Sequence, residues 1–214
     1  MWLQKILYVL NGIAMRYLSC SRLALLLICF CGLFSDVIQH SIVNAAQRET
    51  TSSSVQSVCS AVLLKNQEYF PALIKAIDEA KSEIIMSFFL FKAGVHKNSY
   101  PDKVLTHLAK SAQKGVKVMV ILENSGGHDR DLDAGNSQTK QLLEANDVEV
   151  YFNSLHKTMH NKLIVIDQRL VFLGSHNLTQ SALKYNNEIS ILIDQPELAK
   201  EARTYMLKVI KETK

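Results

Sequence analysis

Cysteine, proline and tryptophan are scarce in this sequence, and each scarcity removes an architecture. The chain carries four cysteines, three prolines, eight glycines and one tryptophan in 214 residues. A disulfide scaffold needs a far higher density of cysteine, and collagen-like or low-complexity chains need far more glycine and proline. Cys20, Cys29 and Cys31 all precede residue 46, which leaves Cys59 without a partner for an internal disulfide in the rest of the chain. Cys59 is therefore expected as a small core hydrophobe. An excess of one charge sign is missing too: 24 Lys and Arg face 20 Asp and Glu, a net charge of +4. That mild basicity permits a polyanionic partner without the strong bias of a dedicated duplex-binding module. With 48% hydrophobic and 21% charged residues, the composition is that of a globular protein.

No apolar run reaches the roughly 20 residues of a membrane span. The run Leu23–Phe34 covers 12 residues, follows Arg16 and Arg22, and precedes the small-residue stretch Val43-Asn44-Ala45-Ala46. A basic start, a short apolar core and a small-residue exit form a secretory signal pattern, with Met15 able to serve as its start. The polar interval containing Asp36, Gln39 and His40 keeps an uncleaved N-terminal membrane anchor as the alternative. The expected organisation is a signal peptide or anchor over 1–46, a Gln/Thr/Ser-rich linker over 47–56 and one catalytic domain over 57–214. The expected location is periplasmic or secreted, or membrane-anchored if the segment is retained.

From residue 58 onward, apolar runs of strand length alternate with helical spacing. Strands are expected at 58–64, 83–91, 116–122, 148–152, 162–167, 170–173 and 188–194. Helices are expected at 69–81, 101–113, 137–146 and 196–211. Helical crossovers favour parallel pairing, and the tight turn at 167–170 favours one antiparallel pair. The predicted fold class is α/β: a mixed, mostly parallel sheet with helices on both faces.

Three constellations carry chemistry. In MHNKLIVID, His160 and Lys162 are two apart on an extended segment and so share a face. An imidazole can attack phosphorus while a neighbouring ammonium balances the oxygens. In GSHNLT, Gly174 permits close approach or an unusual backbone angle, and Ser175 and Asn177 can donate to phosphate oxygens. Read alone, this segment is equally an ordinary turn with a helix cap at Thr179. In YNNEISILI, Glu188 can hold an imidazole nitrogen and fix its tautomer, although a lone carboxylate at a strand edge is usually just solvated.

These segments follow one another within 29 residues. Together, His-x-Lys-(x)4-Asp, Gly-Ser-x-Asn and a downstream Glu resemble the phospholipase D superfamily, and the single motif per chain resembles its short bacterial Nuc-type endonucleases. The resemblance covers about residues 57–212 and implies the phospholipase D-like α/β/α sandwich. It implies His160 as nucleophile, forming a phosphohistidine. Lys162 and Asn177, assisted by Ser175, would hold phosphate oxygens. Glu188 would orient a catalytic histidine, and Asp167 would have a supporting hydrogen-bond role. Two-step hydrolysis needs a second proton-transfer group, which implies a homodimer with two His160 residues in one site. No metal and no other cofactor are required. The implied activity is metal-independent phosphodiester hydrolysis by a non-specific endonuclease, with DNA as the first candidate substrate and RNA as the second; a membrane-associated phospholipase D acting on phospholipid headgroups is the alternative.

Other patterns are weaker. His156, His160, His176 and Asp167 could suggest zinc, but the spacing lacks an acidic base between helical histidines. Residues 128–136 (HDRDLDAGN) imitate a calcium loop, yet the sixth position is Ala134 and the twelfth Lys140; a solvated acidic loop bordering the groove is expected. Lys92, His96, Lys97 and Lys103 around Tyr100 would suit single-stranded nucleic acid or simply form a solvated loop.

Overall fold

The computed structural model describes residues 59–213. The expected signal or anchor over 1–46 and the expected linker over 47–56 lie outside the described residues. The chain alternates as anticipated. Strand β1 (Ser60–Lys65) leads through a 3-10 turn into helix α1 (Tyr69–Glu79). Next come β2 (Glu83–Phe88), α2 (Tyr100–Gln113), β3 (Lys117–Leu122) and α3 (Arg130–Glu144). Then follow β4 (Glu149–Phe152), β5 (Lys162–Ile166), β6 (Leu170–Gly174), the short α4 (Gln180–Lys184), β7 (Ile189–Asp194) and α5 (Pro196–Glu212).

The seven strands form one sheet in the order β1-β7-β6-β5-β2-β3-β4. The sheet is mixed, as expected, but its pairing is mostly antiparallel. β2 pairs with β3 and β3 with β4 in parallel; β2–β5, β5–β6, β6–β7 and β7–β1 are antiparallel. The physical reason lies in the connections. Only α2 and α3 are crossovers that return the chain to the same end of the sheet beside the strand it left. The Asp167–Arg169 turn and the short 175–188 link reverse direction instead, so the second half of the sheet is a meander.

Helices cover both faces unequally. On one face Leu73 and Ile77 of α1, Val104 and Leu108 of α2, Leu143 of α3 and Leu183 of α4 pack on Ile84, Met86, Val120 and Ile164. On the other, α5 alone supplies Ala199, Met206 and Ile210 against Ile85, Ile121, Val165 and Val171. The central strands β2 and β5 are buried throughout, which explains their near-continuous apolar sequence. A bidentate Arg203–Glu83 ion pair, with Nη2 to Oε1 at 2.9 Å, fastens α5 to the buried start of β2.

Several local expectations change. The acidic segment is a helix start, not a loop: Asp129 caps α3 by accepting from the Leu132 amide at 3.0 Å, and Asp131 and Asp133 sit in the first turn. Carboxylates there complement the helix dipole, which is why an acid-rich stretch can be helical. Cys59 is exposed rather than in the core, because it precedes the edge strand β1. Around the 92–103 segment, Lys92 pairs with Asp131 at 2.7 Å, Tyr100 packs on Phe70 at 4.4 Å, and Lys103 lies over the Tyr100 ring at 5.1 Å. Lys92, Tyr100 and Lys103 are thus tied into α1, α2 and α3, while residues 94–98, with His96 and Lys97, are exposed as a solvated loop would be. β2 also stops at Phe88, short of the expected 91, and Phe91 instead bridges to Leu178.

Candidate active site

Strand register assembles the site. β5 pairs with β2 so that Lys162 lies opposite Phe88, and β6 pairs with β7 so that Gly174 lies opposite Ser190. The start of β5, the end of β6 and the start of β7 therefore meet at one end of the sheet, where β2 and β3 also finish. Ligands in α/β sheets bind outside the carboxyl ends of parallel strands, and this end is that one for β2 and β3. His160, Lys162, Gly174, Ser175 and Ile189 line one open cleft of about 430 Å³.

Lys162 is only 7% exposed. Its ammonium donates to the His160 carbonyl at 2.8 Å and lies over the Phe89 ring at 5.1 Å. Both partners are neutral. Burial pushes the Lys162 amine below its ordinary range, and the more distant Glu188 carboxylate works in the opposite direction. The Phe89 ring also meets the exposed His160 imidazole edge-on, with centroids 4.7 Å apart.

Ser175 donates its hydroxyl to Glu188 Oε2, and its oxygen accepts from the Ile189 amide at 3.1 Å. Asn186 donates to Glu188 Oε1 at 3.1 Å, and Asn66 accepts from the Glu188 amide at 2.9 Å. The carboxylate is therefore oriented, not a loose surface charge. Gly174 has a steric reason. A Cβ there would lie 2.2 Å from Ser190 Oγ, 2.4 Å from Ser190 Cα and 2.5 Å from the Ile189 carbonyl. Close approach of β6 to β7, and not an unusual backbone angle, requires glycine. Thr179 caps α4 by accepting from the Ala182 amide at 3.1 Å. The side-chain oxygen of Asn177 is buried with no hydrogen-bond partner among the described residues.

The structure brings His160, Lys162, Ser175 and Glu188 together and leaves Asp167 apart. Asp167 follows the last residue of β5, at the far end of the strand. Its carboxylate accepts from the Lys81, Ser82 and Glu83 amides at 2.9, 2.8 and 3.0 Å and from the Ser82 hydroxyl at 2.7 Å. Burial alone would raise its pKa, but the Ser82 hydroxyl and the three amides outweigh burial and hold it below the usual carboxylate range. Its own amide donates to the Glu83 carbonyl at 2.9 Å. Asp167 ties the β5–β6 turn to the entry of β2.

Nor do the histidines assemble around a cation. His176 is fully buried, stacked on Tyr69 at 4.2 Å. Its Nε2 contacts the Asn66 carbonyl at 3.0 Å and its Nδ1 the Ser190 hydroxyl at 2.7 Å. A carbonyl only accepts, so Nε2 carries the proton and Nδ1 accepts from Ser190. Burial pushes the His176 pKa down, in keeping with a neutral ring. His156 is exposed on the loop before β5. Among the described residues no group of three or more His, Cys, Asp or Glu side chains is arranged to hold a metal.

Several supporting residues carried no sequence signal: Asn66, Phe89, Asn161 and Asn186. Asn161, between His160 and Lys162, accepts from the Ser87 hydroxyl at 2.6 Å, which fixes the opposite face of the same segment. Such partners come from distant strands and become neighbours only through register.

Over 127 residues the chain is 32% identical to cardiolipin synthase B of Salmonella typhimurium, a match covering 54% of this chain and 29% of that protein. The chain thus matches less than a third of the length of that relative. Among solved structures, the phospholipase D family member Nuc from Salmonella typhimurium aligns with a TM-score of 0.62 at 21% identity, covering 73% of this chain and 97% of that one. NucT from Helicobacter pylori aligns with a TM-score of 0.59 at 20% identity, covering 72% and 98%. These two likenesses establish the α/β fold. Residues 73–210, well over half of the chain, match the family described as cardiolipin synthase, PLD-like domain, and the chain belongs to this phospholipase D-like family of phosphodiester-processing enzymes.

Proposed function

We propose that the protein is an exported endonuclease of broad sequence preference, hydrolysing DNA and also RNA without a metal. The observation that carries this reading is the cleft itself. An exposed imidazole, a buried ammonium with only neutral close partners and an oriented Ser175–Glu188 pair converge at one open end of the sheet. Such a cleft suits a phosphodiester, and its openness suits a polymer passing across it.

In this scheme an imidazole nitrogen of His160 attacks phosphorus. The bond to the leaving oxygen breaks, and that oxygen takes a proton from a second group. Water then gives up a proton to the same group and attacks the phosphohistidine, releasing the second product and restoring His160. Lys162 offsets the charge on the phosphate oxygens, and Asn177 is the further candidate for that task. Glu188 steadies a histidine, its own or the partner's. The sequence holds one His-x-Lys-(x)4-Asp motif, so the second histidine belongs to another copy. A homodimer is part of the proposal. Support comes from apolar side chains beside the cleft: Leu63, Leu173 and Ile189 are 53%, 47% and 53% exposed on adjoining strands.

A second reading has its own support. The same exposed apolar strip could meet acyl chains, and the sequence relative is named a cardiolipin synthase. In that case the protein acts on phospholipid headgroups at a membrane, to which residues 1–46 could hold it.

The test offers plasmid DNA, single-stranded DNA, RNA and vesicles of phosphatidylcholine or phosphatidylglycerol to the full chain in excess EDTA, beside His160→Ala. Cleavage of nucleic acid that vanishes in the variant is expected. Headgroup turnover with intact nucleic acid would establish the second reading. Activity removed by EDTA and restored by zinc would overturn the metal-free scheme.

A further inference from the structure

Glu123 is a carboxylate that the site described above does not use. It follows the last residue of β3, is 3% exposed, and stands beneath the loop that delivers His160. Its Oε2 accepts from the Met159 amide at 2.6 Å and from Asn153 Nδ2 at 3.0 Å. Met159 immediately precedes the nucleophile and is itself buried. Asn153 Nδ2 also donates to the carbonyls of Ser154 and Lys157, closing the loop on itself. The anchor is held from behind. The Glu123 amide donates to the Phe88 carbonyl at 3.2 Å, and the fully buried Asn136 donates to the carbonyls of Glu123 and Phe89, both at 2.9 Å.

Burying a carboxylate is costly unless it is well bonded, so an amide or an apolar side chain would be the cheaper way to fill this place. Burial does push the Glu123 pKa up. The Met159 amide, Asn153 and the charge of His160 pull it down, while Asp133 adds to the rise.

We infer that Glu123 is a positioning residue for His160: its carboxylate pins the peptide before the nucleophile. This inference rests on the phosphodiesterase reading of the site and not on the choice of nucleic acid or lipid. A shift of about 1 Å in a reacting group can cost on the order of 100-fold in rate, so a pinned peptide at this place has a large lever.

The test compares the full chain with Glu123→Gln, Glu123→Asp and Asn153→Ala, using bis(p-nitrophenyl) phosphate as a soluble ester. In Glu123→Gln, kcat is expected to fall about 10- to 100-fold with KM within about twofold. Glu123→Asp should recover part of the loss. Asn153→Ala, which keeps the carboxylate and removes one donor, should fall between. A second readout follows the His160 imidazole by NMR, assigned against His160→Ala. Freeing the Met159 amide lets the segment before His160 move, so in Glu123→Gln the His160 ring resonances at fixed pH should shift as the ring leaves its place against Phe89. Wild-type kcat in folded Glu123→Gln would overturn the inference, as would an activity loss that only follows the melting temperature with unchanged His160 ring resonances. If Glu123→Gln does not fold, unchanged kcat in Asn153→Ala would overturn it. A wild-type protein inert toward the ester would count against the phosphodiesterase reading instead, and the His160 ring resonances would then decide for Glu123.

Discussion

The two ends of β5 share five strand residues and teach opposite lessons. At one end Asp167 is saturated: three amides and a hydroxyl surround its carboxylate. At the other, Lys162 is buried with a carbonyl and a ring as close partners, and His160 stands exposed beside it. A charge whose hydrogen bonds are complete stabilises the fold. A buried charge with only neutral partners costs stability and is available to an incoming anion. A single motif, His-x-Lys-(x)4-Asp, thus spans an end that opens on a cleft and an end that is locked into the fold.

Four substitutions sharpen or break that contrast. The largest effect is expected at His160→Ala: loss of hydrolysis by about 10³-fold or more, with the melting temperature unchanged because the side chain is exposed. Next, Lys162→Met should lower kcat/KM by about 10²- to 10³-fold while leaving stability the same or raising it by about 1 kcal/mol. Denaturant titration beside steady-state kinetics checks both halves. A clear destabilisation by Lys162→Met would break the contrast.

Gly174→Ala should injure both properties. The added methyl meets the backbone of Ser190 and Ile189, which cannot swing aside. A destabilisation of about 2–3 kcal/mol is expected, with activity lost as Ser175 and Glu188 shift. Urea unfolding of this variant gives the number.

The smallest effect on chemistry belongs to Asp167→Asn. Stability should drop by about 2 kcal/mol, while kcat of the folded protein stays near wild type. The pH dependence follows from the sign of the shift. The carboxyl is held below its usual range. The stabilisation it provides is therefore fully present above the ordinary carboxylate pKa of about 4 and is lost as pH falls through the lower value in the folded state. Thermal melts across the acid range should show a shallower fall for Asp167→Asn than for wild type.

Much of this was legible in the sequence, for physical reasons that differ by element. β2 and β5 announce themselves because strands buried on both faces must be apolar throughout. α1 and α5 show their buried stripes at helical spacing. His160, Lys162, Ser175 and Glu188 could be selected because they belong to closely spaced segments that strand register then brings together. Pairing direction was not legible: the crossover rule holds for α2 and α3, but the meander after β5 depends on short links whose reversal of direction carries weak signals. The acidic start of α3 was misread because Asp is a poor interior helix former and a good first-turn one. Glu123, Asn153, Asn66 and Phe89 carried no pattern at all, since their partners are set by tertiary contact and not by spacing.

The central claim is that His160 is the nucleophile. The most direct measurement quenches the reaction with a phosphodiester substrate in excess EDTA and maps the protein by mass spectrometry for an acid-labile adduct. The account predicts a phosphoryl adduct on His160 that is absent from His160→Ala. Rapid product formation with His160 unmodified, or turnover that persists in His160→Ala, would contradict it.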